Sequence, residues 1–229
     1  MAEFARLLPL SLRSVGNESG VNARWSGHLA ATLTATADLL DGLSPEQWQA
    51  QSLCGAWRVR DVAGHLVWRL GSSRRELVTS AAHAYLGHHV RPARAIDAVS
   101  RAAAQAPPEQ LVARLREIAA ARAAEGRGGI ADLSEAVVHG LDLAHPLGLT
   151  LPIHATAGGA VALRRSLIAP TEIKAVLRTR RLVATDAEWS VGHGDPLRST
   201  AAPLILFLFG RGPLPADAPV DPAPDLPAD

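Results

Sequence analysis

The chain has 229 residues, 48% hydrophobic, 20% charged and only 4% aromatic, enough to bury a core in one large domain or two small ones, built mostly of aliphatic side chains. Abundant Ala, Leu and Arg with few strand-forming aromatics argue for helices and against an all-β sandwich. A formal charge of +1, from 23 basic and 22 acidic residues, supplies no field that would hold nucleic acid or an anionic membrane, and the single cysteine, Cys54, excludes an internal disulfide or a cysteine-built structural zinc site and agrees with a reducing compartment.

In chain order, residues 1–20 mix Pro, Gly, Ser and Asn without periodicity and read as a loose lead-in. Apolar residues at helical spacing from Ala23 to Leu43 (Trp25, Leu29, Leu33, Leu39, Leu40) predict a first amphipathic helix ending near Gly42. The turn at Leu43-Ser44-Pro45-Glu46 opens a short connection through Trp48, and Ser52 to Trp57 is loop-like. Val59, Val62, His65, Leu66 and Leu70 then share one face of a second helix, which the pattern allows to continue to about Leu86. The signal is weak from Gly87 to Ala106. Pro107-Pro108-Glu109 opens a third helix with a Leu111, Leu115, Ile118 stripe that ends by Gly126, and after the Gly128-Gly129 break a fourth runs from Ile130 to Leu143, stopped by Pro146 and Gly148. Four such helices predict an antiparallel bundle over residues 21–150.

The pattern changes after Leu151. Ala155 to Ile168 predicts a helix and Thr171 to Arg178 a short one. Leu182 to Thr185 and Glu188 to Val191 read as two strands, with Gly192 and Gly194 closing the second, and Ser199 to Phe209 reads as a final apolar helix, giving a smaller α/β unit over 151–211. Residues 212–229, rich in Pro, Ala and Asp, read as a disordered tail. The longest apolar run, Ala201 to Phe209, falls well short of the ~20 residues that cross a bilayer, and the N-terminus, with Arg6 and Arg13 around Leu-Leu-Pro-Leu, lacks a long apolar region and a cleavage site, so a soluble cytoplasmic protein is expected.

Glu135 and His139 stand four apart on the fourth helix, hence on one face about one turn apart, and His65 points to the core from the second. Two imidazoles and a carboxylate from facing helices would make a three-ligand metal site with open positions for water or substrate. Taken alone, a Glu-x-x-x-His pair is more often a surface ion pair, and a lone His65 a hydrogen-bonded core residue. The wording around them adds weight: Cys54-Gly55-Ala56-Trp57-Arg58-Val59-Arg60-Asp61-Val62-Ala63-Gly64-His65-Leu66, and Glu135-Ala136-Val137-Val138-His139-Gly140-Leu141-Asp142.

In these blocks, and in Leu182 to Ser190, the sequence resembles the DinB-like metal-binding superfamily, in the actinobacterial branch that includes mycothiol-dependent maleylpyruvate isomerase. The resemblance implies a mainly α fold, a four-helix bundle with a smaller α/β C-terminal domain, in which His65, Glu135 and His139 ligate a divalent metal, zinc or else nickel. It also implies mycothiol as the thiol cosubstrate. The sequence departs from the pattern at Arg58, where a Ser or Thr helix cap is common, and at Ala144-His145, where relatives often carry basic residues. Asp61, four before His65, and Asp142, three after His139, are candidates to orient those imidazoles, or else ordinary helix acids. Cys54 reads as a reactive thiol or a small buried residue, His83, His88 and His89 as surface residues, and Trp25, Trp57 and Trp68 as core.

The expected function is activation of a low-molecular-weight thiol for attack on an electrophilic small molecule, since a bound divalent cation lowers the thiol pKa and the thiolate is the nucleophile. The outcome would be S-transfer or, if the thiolate leaves again, isomerisation. Attack by metal-bound water is a hydrolytic variant. The competing reading is a non-catalytic metal-binding stress or regulatory protein, distinguished by a fourth protein ligand on the ion.

Overall fold

In the computed structural model, which describes residues 19–55, 57–88 and 92–218, the protein is mainly helical with a small sheet near the C-terminus. Helix α1 (Ser19–Asp41) places Leu29, Leu33, Ala37 and Leu40 on a fully buried stripe. Its buried Thr32 and Thr36 hydroxyls donate to the helix carbonyls of His28 and Thr32, so neither is left unmet in the core. The lead-in expected at 1–20 lies outside the described residues except for its last two, which open α1.

The short α2 (Pro45–Gln49) is set by a capping box in which Ser44 accepts from the Gln47 amide and Gln47 from the Ser44 amide. Helix α3 (Val59–Gly71) starts at Arg58. The missing Ser or Thr cap is met from inside the helix, where the Asp61 carboxylate accepts the Arg58 N–H at 3.0 Å. The second helix does not continue to Leu86. It breaks at Ser72-Ser73, and α4 (Arg74–His88) begins there because Ser73 and Glu76 exchange hydrogen bonds between side chain and backbone in a new capping box, stronger locally than the apolar period that spans the break. The weakly patterned stretch contains α5 (Pro92–Ala103). Helices α6 (Pro108–Glu125) and α7 (Ile130–Ala144) follow, the first ended by Gly126 in the left-handed conformation.

Helix α1 packs on α6 and α7, and α3 packs on α6, α7 and α5. Two glycines set how closely. A Cβ on Gly64 would stand 2.6 Å from the Ala104 amide and 2.7 Å from the Ser100 carbonyl, so only glycine lets the backbones of α3 and α5 approach this far. A Cβ on Gly140 would meet Leu151 at 2.5 Å and Thr36 at 3.1 Å. These two glycines flank His65 and His139.

Beyond a single 3-10 turn (His145–Leu147), α8 (Ala155–Ile168) and α9 (Thr171–Thr179) lead into strands β1 (Arg180–Ala184), β2 (Ser190–Gly192) and β3 (Asp195–Ser199) and helix α10 (Ala201–Leu208). The sheet order is β2-β1-β3, with Leu182 opposite Val191 in the antiparallel pair and opposite Leu197 in the parallel one. Strand β3 is absent from the sequence reading, because Asp195 and Pro196 are poor strand formers that an edge strand tolerates. Helix α10 is apolar all round. Its Ile205 and Leu206 join the helical core while Leu204, Phe207 and Leu208 join a second core with Ala162, Leu177, Leu182 and Val191. Past it, Asp217 accepts the Arg198 amide and the Ala218 amide donates to the Arg198 carbonyl, tying residues 217–218 to β3. The rest of the expected tail, from 219 on, lies outside the described residues. Among the described residues no helix is long and apolar enough to cross a membrane.

Candidate metal centre

Helix α3 brings His65, and α7 brings Glu135 and His139, to one point where their ligating atoms all lie within 4.8 Å of one another. The two imidazoles are buried and meet edge to face with centroids 4.7 Å apart, while the Glu135 side chain is 34% exposed. The centre therefore opens to solvent on the carboxylate side.

The outer partners fix which nitrogen of each ring faces inward. His65 Nδ1 is 3.0 Å from the Ser100 hydroxyl, and that hydroxyl donates its proton to the Ile96 carbonyl at 2.7 Å, so its lone pair accepts Nδ1–H. His139 Nδ1 is 3.0 Å from Asp142 Oδ2, and a carboxylate only accepts, so this ring also carries its proton on Nδ1. Both neutral rings then turn Nε2 lone pairs toward Glu135 Oε2, at 3.5 Å from His65 and 3.4 Å from His139. Three electron-rich atoms facing one another this closely require a shared proton or a cation between them. The spacing suits a cation: tetrahedral ligands at about 2.1 Å from zinc stand about 3.4 Å apart.

Without a cation, protons carry the load. Burial by itself pulls His139 down, but hydrogen bonds to Asp142, Cys54 and Glu135 outweigh it and raise its pKa well above the ordinary value. Burial alone would raise Glu135, and the two imidazoles reverse that to hold it far below the carboxylate range. His65 is pulled down, mainly by burial, with its Glu135 contact opposing. Asp142 is fully buried between His139 and Arg211, whose Nε lies 3.2 Å from Asp142 Oδ1. That contact is an ion pair by distance, and it lacks hydrogen-bond alignment.

Asp61 serves a different end. Its Oδ2 accepts the Arg58 amide and pairs with Arg58 and, at 4.0 Å, Arg101, so it starts α3 while Ser100 takes the Nδ1 contact of His65. Cys54 is half-buried, with Sγ 3.6 Å from Arg211 Nη2, and forms a second cluster with His139 and Asp142. That cluster would have to draw Asp142 from Arg211, so it is the poorer ligand set. Trp57 lies over the centre, its ring 4.9 Å from His65 and 6.3 Å from His139, with the indole N–H donating to Asp97. Trp68 stands 5.9 Å from His65, and Trp25 packs partly buried against the core. His83 is exposed on α4, His88 ends that helix, and His89 lies outside the described residues.

Ser100 and Arg211 escape the sequence reading. Ser100 sits in the segment of weak pattern. Arg211 follows the last helix, where nothing local distinguishes it from a surface charge.

Residues 29–128 match the family model described as mycothiol maleylpyruvate isomerase N-terminal domain, a DinB-like family. The match includes His65 and Ser100 and stops before Glu135 and His139. No curated protein and no solved structure matches the chain.

Proposed function

We propose that the protein is a divalent-metal-dependent enzyme that activates a low-molecular-weight thiol of the mycothiol kind for transfer to, or isomerisation of, an electrophilic small molecule. The observation that carries this reading is the convergence of His65 Nε2, His139 Nε2 and Glu135 Oε2 on one point, their outward nitrogens held by Ser100 and Asp142. Zinc is the ion the donor set fits best, with nickel the next choice. In this reading α1, α3, α6 and α7, each packed on two of the others, are the antiparallel bundle of a DinB-like domain over 21–150, residues 151–211 are the smaller C-terminal domain, and the protein works in the cytoplasm.

When bound, the ion supplies a positive charge that stabilises a thiolate at neutral pH. The chain's residues do the rest. Ser100 and Asp142 hold the rings with their Nε2 lone pairs inward, and Arg211 stands within ion-pair distance of Asp142. Trp57 covers the imidazoles and keeps water from that side, leaving the half-exposed Glu135 side as the route by which thiol enters and its proton leaves. A thiolate there would add to an electrophilic carbon, forming an S–C bond while the π pair moves onto the acceptor, and a lasting adduct would take up one proton at that acceptor, balancing the one the thiol gave up. If the bond persists, the outcome is S-transfer. If it breaks after rotation, the thiol is regenerated and the substrate leaves isomerised.

The test is metal analysis of purified protein followed by conjugation assays. About one divalent ion per chain is expected, most of it lost in His139→Ala, together with metal-dependent conjugation of generic electrophiles by mycothiol or a surrogate thiol. Full metal occupancy in the triple alanine variant of His65, Glu135 and His139 would remove the assignment. Stoichiometric metal without binding of any thiol would leave a metal-binding module without catalysis.

A further inference from the structure

The ends of α3, α6 and α7 enclose a pocket of about 830 Å³. It lies next to the candidate metal centre, since Arg69 on its wall follows His65 by one turn of α3 and Asp132 precedes Glu135 by one turn of α7. Three guanidinium groups, Arg69, Arg122 and Arg127, stand on its wall against two carboxylates, Glu125 and Asp132. Both carboxylates are loosely engaged. Arg69 Nη2 is 3.6 Å from Asp132 Oδ1 with both side chains partly exposed, and Arg127 Nε is 3.3 Å from Glu125 Oε2 with side chains 74% and 47% exposed. Such pairs contribute little, so a bound oxyanion can take over either arginine at small cost. Arg122 is half-buried and within ion-pair distance of no carboxylate among the described residues. One of its donors reaches the Leu70 carbonyl at 2.6 Å, which leaves most of a planar fork for a ligand.

The floor adds to this. Gly129, the residue before α7, gives no side-chain cap, and nothing lies within 4 Å of the place its Cβ would occupy, so a ligand can come up to the first amides of α7. Leu77 and Ile118 supply apolar wall for a carbon skeleton. The volume is that of a site for a metabolite-sized molecule, far more than a lone inorganic anion fills.

We propose that this pocket binds the oxyanion group, carboxylate or phosphate, of a metabolite-sized molecule through Arg69, Arg122 and Arg127. The binding does not depend on a metal at the neighbouring centre, so it stands or fails separately from the enzymatic reading.

The full chain is titrated at low salt with citrate, glucose 6-phosphate and inorganic phosphate, with glucose as the uncharged control, by calorimetry and thermal shift. An anionic metabolite is expected to bind with a dissociation constant of about 1 mM or tighter while glucose does not. The preference between citrate and glucose 6-phosphate names the oxyanion. Gly129→Asp places a carboxylate in the open space at the start of α7, where it caps the helix. This variant should melt at the same temperature or higher and keep its metal content, yet bind the anion about tenfold more weakly. Arg127→Gln, a change at an exposed side chain, should weaken binding about threefold or more. No anion binding above the glucose control, or binding equally tight in both variants, overturns the proposal.

Discussion

Asp142 Oδ2 lies 3.0 Å from His139 Nδ1, one turn further along α7, and its other oxygen is 3.2 Å from Arg211 Nε beyond α10. One buried carboxylate thus joins a candidate ligand of the helical part to the C-terminal part of the chain. Asp142→Asn keeps the size of the side chain and removes its charge. The variant should bind metal about 10- to 100-fold more weakly, because the imidazole loses basicity and orientation. Competition against a chromogenic chelator measures this, and unchanged affinity would show that Asp142 does not tune the site.

Protons and metal compete for His139. Its pKa in the fold is raised, so its contribution to the stability of the metal-free protein is complete below the ordinary imidazole value near 6.5 and disappears as the pH climbs through the raised one. Glu135 works oppositely: its lowered pKa gives stability above about 4.5 that disappears as the pH falls. Metal affinity should therefore rise with pH from 6.5 upward, with about one proton released per ion. Calorimetry in buffers of different ionisation enthalpy counts that proton, and affinity flat between pH 6.5 and 8 would contradict the assignment of His139.

Gly64→Ala forces a methyl group into the backbone of α5, 2.6 Å from the Ala104 amide. The expected cost is about 1–3 kcal/mol, and because α5 carries Ser100, metal affinity should fall with it. Gly27→Ala is the control. Nothing lies within 4 Å of that Cβ position in α1, so urea denaturation should show a gain of about 0.5–1 kcal/mol.

Arg211→Leu leaves Asp142 buried without its cation. The side chain of Arg211 is 29% exposed, which moderates the cost to about 2 kcal/mol, read as a lower midpoint in denaturant. A variant as stable as the parent would mean that the alignment seen as poor between Nε and Oδ1 reflects a contact of no consequence.

The sequence by itself determined what depends on neighbours in the chain. The apolar period fixed α6, α7 and α8 almost to the residue, and α1 apart from its first turn, which begins at Ser19 and not Ala23, because a stripe that must face a core leaves helix as the sole regular solution. The four-residue spacing of Glu135 and His139 put them on one face for the same reason, and the motif blocks brought His65 beside them as an expectation. The break at Ser72-Ser73 follows from the local capping box of Ser73 and Glu76, whereas the helix α5 and the edge strand β3 were decided by tertiary contacts. Their local signals are weak or conflicting, and each is held by a surface supplied from elsewhere: the Gly64 approach for α5, and the paired backbone of β1 for Asp195–Ser199. The same distinction runs through the candidate site. A ligand can be read from residue type and period, whereas the group that orients it is whatever polar atom the fold delivers to its far nitrogen. For His139 that atom came from three residues away in the same helix, within reach of sequence reasoning. For His65 it was Ser100, 35 residues on, and for Asp142 it was Arg211, and burial in a packed interior is what made those distant partners necessary.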